Sequence, residues 1–181
     1  MTSLIECLKK IPDKRRNQSK HFQLWEIIFC SIACFLSGGR SYRDIERFTK
    51  KKFDELKPLL GLNWKRIPHY TTFQEILVGV DEKDFEDAFR KFSLSLLQGH
   101  QPESLAIDGK TLKGSYNNDT EQKPIHLLQV FEPLKKIILA HEEVGDKTNE
   151  IPVWQILAKE LELKNIVVTM DALHCQKKLL K

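Results

Sequence analysis

The chain has 181 residues, enough for one or two domains whose core needs no disulfide or metal to hold it. Hydrophobic residues make up 41% and charged residues 30%, with 8 Gly and 7 Pro, which excludes a collagen-like, low-complexity or wholly disordered chain. Net charge is +4 and unevenly spread: residues 1–100 carry 18 Lys/Arg against 13 Asp/Glu, whereas residues 101–181 carry 11 against 12. Such asymmetry is the footprint of a surface for polyanions, although a solvated helix face gives the same pattern. The most apolar stretch, Ile27 to Leu36, is too short to span a bilayer. The N-terminus, MTSLIECLKK, has no apolar segment behind a basic start, so no signal peptide and no membrane partner are expected. With no export signal, Cys7, Cys30, Cys34 and Cys175 read as reduced thiols, and the expected location is cytoplasmic.

The first hundred residues read as helices. Leu24 to Leu36 is apolar nearly all round, as a central buried helix is, and Gly38-Gly39 ends it. Ser41 with Asp44 has capping spacing and opens a helix through about Lys50; a second helix is expected from Lys52 to Leu60, stopped by Gly61. Thr72 with Glu75 repeats the capping spacing before a short helix ending near Gly79. Asp81 caps a longer helix whose Phe85, Phe89, Phe92 and Leu96 form one apolar stripe. Basic residues crowd two places. One is Lys9, Lys10, Lys14, Arg15, Arg16 and Lys20; the other runs from Arg40 to Arg66. Within the second, Arg40, Arg43, Arg47, Lys50, Lys51 and Lys52 fall on or beside one helix and are the candidate DNA contacts.

After Gly99 the pattern changes to short runs rich in Ile, Leu and Val: Ser104–Ile107, Ile125–Phe131, Lys136–Ala140 and Asn165–Met170. A polar loop, Gly114 to Pro124, separates the first two, and Glu132 to Lys135 reads as a tight hairpin connection. A helix with Pro152 in its first turn and Val153, Ile156, Leu157 and Leu161 on its apolar face precedes the fourth strand. A final helix is expected from Ala172. The order β-β-β-α-β allows strand four to lie parallel to strand one and beside it.

That order gives meaning to two carboxylates. Asp108 follows Leu105-Ala106-Ile107 and Asp171 follows the run ending at Met170, positions where Asp is disfavoured. On adjacent parallel strands they would face each other at one end of the sheet. Carboxylates brought together repel unless a cation lies between them, and oxygen donors suit Mg2+ or Mn2+. The plainer alternative has equal standing on spacing alone: Asp108-Gly109 as a hairpin-turn dipeptide and Asp171 as a helix cap. A phosphate-binding P-loop is excluded, because Ser104 stands where its first Gly is needed. His174-Cys175, the Cys30/Cys34 pair, and Lys147, Asn149 and Glu150 are weaker candidates that read as packing or capping residues.

Several stretches together carry a family resemblance: IPDKR (11–15), LSGGRSYRDIERF (36–48), IPHYTTF (67–73), LAIDGKTLKGS (105–115), KTNEIP (147–152) and VTMDALHCQK (168–177). In this order and spacing the chain resembles the DDE transposases of bacterial insertion sequences, in particular the ISAs type, also called H-repeat-associated proteins. The resemblance implies an α+β chain. Residues 1–98 would be a helical transposase-associated domain, the DNA-binding candidate. Residues 99–181 would be an incomplete RNase H-like β-β-β-α-β-α catalytic domain. Asp108 and Asp171 match the first two acids of the DDE triad, which bind Mg2+ or Mn2+ for strand cleavage and transfer on double-stranded DNA at element ends. The third acid of the family, a Glu on a later helix, has no counterpart after Asp171, and Glu150 precedes Asp171 and so cannot be it. The expectation is therefore a truncated transposase that alone neither nicks nor joins DNA, and that self-associates through an exposed strand-four edge.

Overall fold

Among the described residues, helices occupy the first half of the chain, and a four-stranded sheet with one crossover helix occupies the second, so the fold is mixed α+β. The computed structural model describes residues 3–97, 99–112, 115–116, 123–145, 150–161 and 166–170. The chain divides into two units, one ending at Phe92 and the other beginning at Ser93.

In the helical unit, α1 (Leu4–Leu8), α2 (Leu24–Leu36), α3 (Tyr42–Leu60), α4 (Tyr70–Val78) and α5 (Glu82–Leu96) follow in order, the last turn of α5 falling past the division at Phe92. α2 is the central element its composition predicts: Ile27, Ile28, Cys30 and Cys34 are buried, and α1, α3 and α4 pack on it. α1 escaped the sequence reading because it is five residues long; a capping box between Ser3 and Glu6 holds it. The two helices expected on either side of Lys51 are one. Ile45, Thr49, Leu56 and Leu60 make a continuous buried stripe, and packing along it carries the helix across the polar Lys50–Lys52 run. Pro58 sits in the last turn, and Gly61, at φ 65°, closes the helix in the left-handed conformation.

Thr72 does not cap α4. The helix starts earlier, after His69, whose carbonyl accepts from the Thr72 and Phe73 amides. The Glu46 carboxylate of α3 takes the Tyr70 N–H at 2.9 Å, so a neighbouring helix does the work of a local cap. Asp81 does cap α5, with its Oδ1 accepting from the Asp84 amide at 3.2 Å. Deep in this unit Trp64 Nε1 donates to Glu26 Oε2 at 2.6 Å, and the indole packs edge-on against Phe22.

The second unit contains β1 (Ser104–Leu112), β2 (Ile125–Glu132), β3 (Ile137–Glu143), α6 (Glu150–Glu160) and β4 (Val167–Met170). The strand order is β3-β2-β1-β4, with β1 antiparallel to β2 and parallel to β4. The expected β-β-β-α-β succession and its parallel closing pair are therefore present. β1 is longer than expected and runs straight through Asp108-Gly109, which pair with Gln129 and Leu128. The hairpin-turn reading of Asp108 is thereby overturned: the dipeptide lies within a ladder. The β2–β3 connection is the expected tight one, and its buried Glu132 carboxylate accepts from the Leu134 and Lys135 amides. Leu105, Ile107, Leu128, Val130 and Leu139 form one core with Val153, Trp154 and Leu157 of α6. The helix expected from Ala172, like Asp171, lies outside the described residues.

Candidate catalytic face and candidate DNA interface

Side chains alternate across a strand, so the burial of Leu105 and Ile107 against the α6 side sends Asp108 to the outer face of the sheet, where it is exposed. The register extends that face across three strands. Asp108 stands opposite Gln129, and Gln129 opposite His141, in one row. One step along β1, Lys110 is exposed on the same face; one step back, Ala106 stands between Phe131 of β2 and Thr169 of β4. On the far side of β1, Ile107 pairs with Met170, the last described residue of β4. Thr169 ties the two parallel strands together, its hydroxyl donating to the Leu105 carbonyl at 3.2 Å. The sequence singles out Asp108 but gives no mark of Gln129 and His141, which share its row. Nothing local marks them, because their relation to Asp108 exists only through the pairing register. Among the described residues no group of three or more His, Cys, Asp or Glu side chains gathers to form a metal cluster.

The second candidate is the outward side of α3. Arg43, Arg47, Lys50 and Lys51 are exposed and lie opposite the buried Ile45–Leu60 stripe, so the helix brings these four of the six expected basic residues to one side. Arg40 precedes the helix, exposed, beside its N-cap Ser41. Lys52 turns toward the packed flank, half-buried and 2.7 Å from Glu55. Acidic neighbours orient the exposed cations without neutralising the surface. Arg47 lies 3.6 Å from Asp44, and the Arg43 guanidinium is 4.9 Å over the Tyr70 ring. Glu46 joins α3 to the start of α4, contacting Lys50 Nζ at 2.5 Å and accepting the Tyr70 amide. The Lys50 hydrogen bond, reinforced by that amide, holds the Glu46 carboxyl below the usual carboxylate range. Asp44 is lowered as well, by the Ser41 hydroxyl first and the Arg40 amide next.

Three of the six residues of the other basic cluster are tied to neighbours within the helical unit. Lys14 bridges Asp81 and Asp84 at 2.8 and 3.2 Å, Arg15 binds Asp13 and the Phe22 carbonyl, and Lys9 lies 4.7 Å over the Trp25 ring. Cys30 and Cys34 are buried thiols. Burial, with Glu26 nearby, pushes Cys30 up to about 12, so it remains protonated at neutral pH.

Comparison with known proteins gives a consistent result. The family described as DDE_Tnp_1-associated matches residues 5–93. The chain is 28% identical over 177 residues to the "H repeat-associated putative transposase YhhI" of Escherichia coli, covering 98% of this chain and 47% of that protein. It is 27% identical over 177 residues to "H repeat-associated putative transposase YbfD" of the same organism, covering 98% of this chain and 70% of that protein. A protein encoded in the dhlA 3' region of Xanthobacter autotrophicus is 28% identical over 169 residues, covering 92% of this chain and 57% of its own length. The chain thus spans about half the length of the first of these relatives. Among solved structures, a piggyBac transposase synaptic complex with hairpin DNA covers 90% of this chain and 43% of its own, at a TM-score of 0.38 and 13% identity, too distant to carry an argument. No described helix is long and apolar enough to cross a membrane. Residues 5–93 match the family described as DDE_Tnp_1-associated, and along nearly its whole length the chain is similar to H repeat-associated putative transposases.

Proposed function

We propose that the chain is part of an insertion-sequence transposase that acts on double-stranded DNA with a divalent metal. On this reading the second unit is RNase H-like, Asp108 and Asp171 hold the metal, and the α3 side grips DNA. The observation that carries the proposal is the β1–β4 pairing: β4 runs parallel to β1 and beside it, with Met170 partnered to Ile107, the residue before Asp108. Asp171 follows Met170 directly in sequence, and consecutive Cα atoms are about 3.8 Å apart. Asp108 fits the donor chemistry: a hard carboxylate oxygen donor, exposed, on a face that a duplex must approach to reach it.

A bound Mg2+ or Mn2+ would polarise a phosphodiester and lower the pKa of a coordinated water. The carboxylates would fix the ion's position, while β1 and β4 would fix theirs. Two carboxylates can share one ion, and in-line transfer between two ions about 3.5–4 Å apart takes a further donor. The pair is accordingly proposed to bind metal weakly and, taken by itself, not to cut or join strands. Arg43, Arg47, Lys50 and Lys51 would contribute salt-dependent contacts to phosphates with little sequence preference.

Titration with Mn2+, followed by electron paramagnetic resonance, tests the reading. Wild-type chain is expected to take up the ion, and Asp108→Asn and Asp171→Asn each to lose it. Uptake unchanged in Asp108→Asn overturns the metal assignment and leaves a DNA-binding module without chemistry.

A further inference from the structure

We propose that Lys110 and Gln129 are positioning residues that hold the DNA backbone on the outer face of the sheet beside Asp108. The inference rests on the reading of Asp108 as a metal ligand and adds the groups that present the phosphodiester to it. A carboxylate repels phosphate, and a weakly held ion offsets that repulsion only at the point it occupies. A backbone lying across this face therefore needs donors on either side of Asp108. The register supplies two. Gln129 is the cross-strand partner of Asp108, where opposed Cβ atoms stand about 4.5–5.5 Å apart, and its carboxamide N–H can donate to a phosphate or sugar oxygen. Lys110 is two residues along β1 on the same face, about 7 Å away, roughly the spacing of neighbouring phosphates on one strand. Its side chain is exposed, so the ammonium can swing toward a non-bridging oxygen.

Three features favour a built surface over a chance of composition. Lys110 and Gln129 flank the one exposed carboxylate of β1 on two different strands. Gly109, between Asp108 and Lys110, faces the opposite side and leaves the outer spacing undisturbed. Phe131, half-buried one row back on the same face, offers an apolar surface on which a sugar or base can rest.

The test uses the full chain, a mixed-sequence DNA duplex, and Fe2+ with ascorbate and hydrogen peroxide: bound Fe2+ reduces peroxide to hydroxide and hydroxyl radical, and ascorbate returns Fe3+ to Fe2+. Two products are read: cuts in the polypeptide near the ion, and cuts in the DNA. Wild type is expected to give both, and Asp108→Asn neither. Lys110→Met with Gln129→Leu is expected to keep the polypeptide cuts and to lose DNA cutting about tenfold. Lys110→Arg alone should retain DNA cutting. The Lys110 change should also lower the salt slope of duplex binding by about 1. DNA cutting at the wild-type level in the double variant, with polypeptide cuts intact, overturns this proposal while leaving the metal assignment standing. Absence of polypeptide cuts in the wild type overturns both.

Discussion

Reversing Arg43 and Arg47 to Glu is the sharpest probe of the α3 surface. Both side chains are exposed and one turn apart on the same side of the helix. If each neutralises one phosphate, each contributes about 0.9 to the slope of log affinity against log salt. At about 0.1 M salt that is roughly eightfold in affinity per contact, and roughly sixtyfold for the pair. Charge reversal adds repulsion, so the loss should exceed sixtyfold, with the slope falling by about 2. Arg47 gives up a 3.6 Å contact to Asp44, and at 76% side-chain exposure that contact offers little resistance to binding. Fluorescence anisotropy on a mixed-sequence duplex at several salt concentrations reads both quantities. An unchanged slope would assign DNA contact to another surface.

Three further outcomes test the helical unit. A Cβ at Gly39 would meet Cys34 Sγ at 2.3 Å and the Cys34 carbonyl at 3.2 Å, so Gly39→Ala should destabilise by about 1–3 kcal/mol in urea unfolding, with Cys34→Ala restoring part. Trp64→Phe removes the donor to buried Glu26 and should cost about 2–3 kcal/mol; a double-mutant cycle with Glu26→Gln should show coupling, and additive losses would remove the bond's importance. Glu46 has a folded pKa below its ordinary 4.5, so its contribution is present above that pH and is lost as pH falls through the lowered value. Acid titration should therefore destabilise wild type more than Glu46→Gln, and parallel curves would contradict the assignment.

The legible parts of the fold were those set by local signals. A run apolar nearly all round marked α2, an apolar stripe marked α5, and runs of Ile, Leu and Val marked the strands and their order. Capping spacing was right at Ser41, where the hydroxyl accepts the Asp44 amide, and misleading at Thr72, where a carboxylate from another helix had already satisfied the backbone. The break expected near Lys51 failed for a related reason: tertiary packing of Ile45 through Leu60 outweighs the polarity of three consecutive lysines. At the candidate site, Asp108 was visible as a carboxylate out of place in an apolar strand. Its neighbours Gln129 and His141 were not, since a one-residue change of register would put different residues beside it.

Asp108 and Asp171 are proposed to share a divalent ion at the β1–β4 end of the sheet. A crystal structure of the chain grown with Mn2+, with anomalous scattering recorded, tests it most directly. An anomalous peak is expected about 2.0–2.2 Å from oxygens of both carboxylates, on the face that carries Gln129 and Lys110. A structure in which the two carboxylates point to opposite faces, or in which Mn2+ binds elsewhere and leaves Asp108 bare, would contradict it.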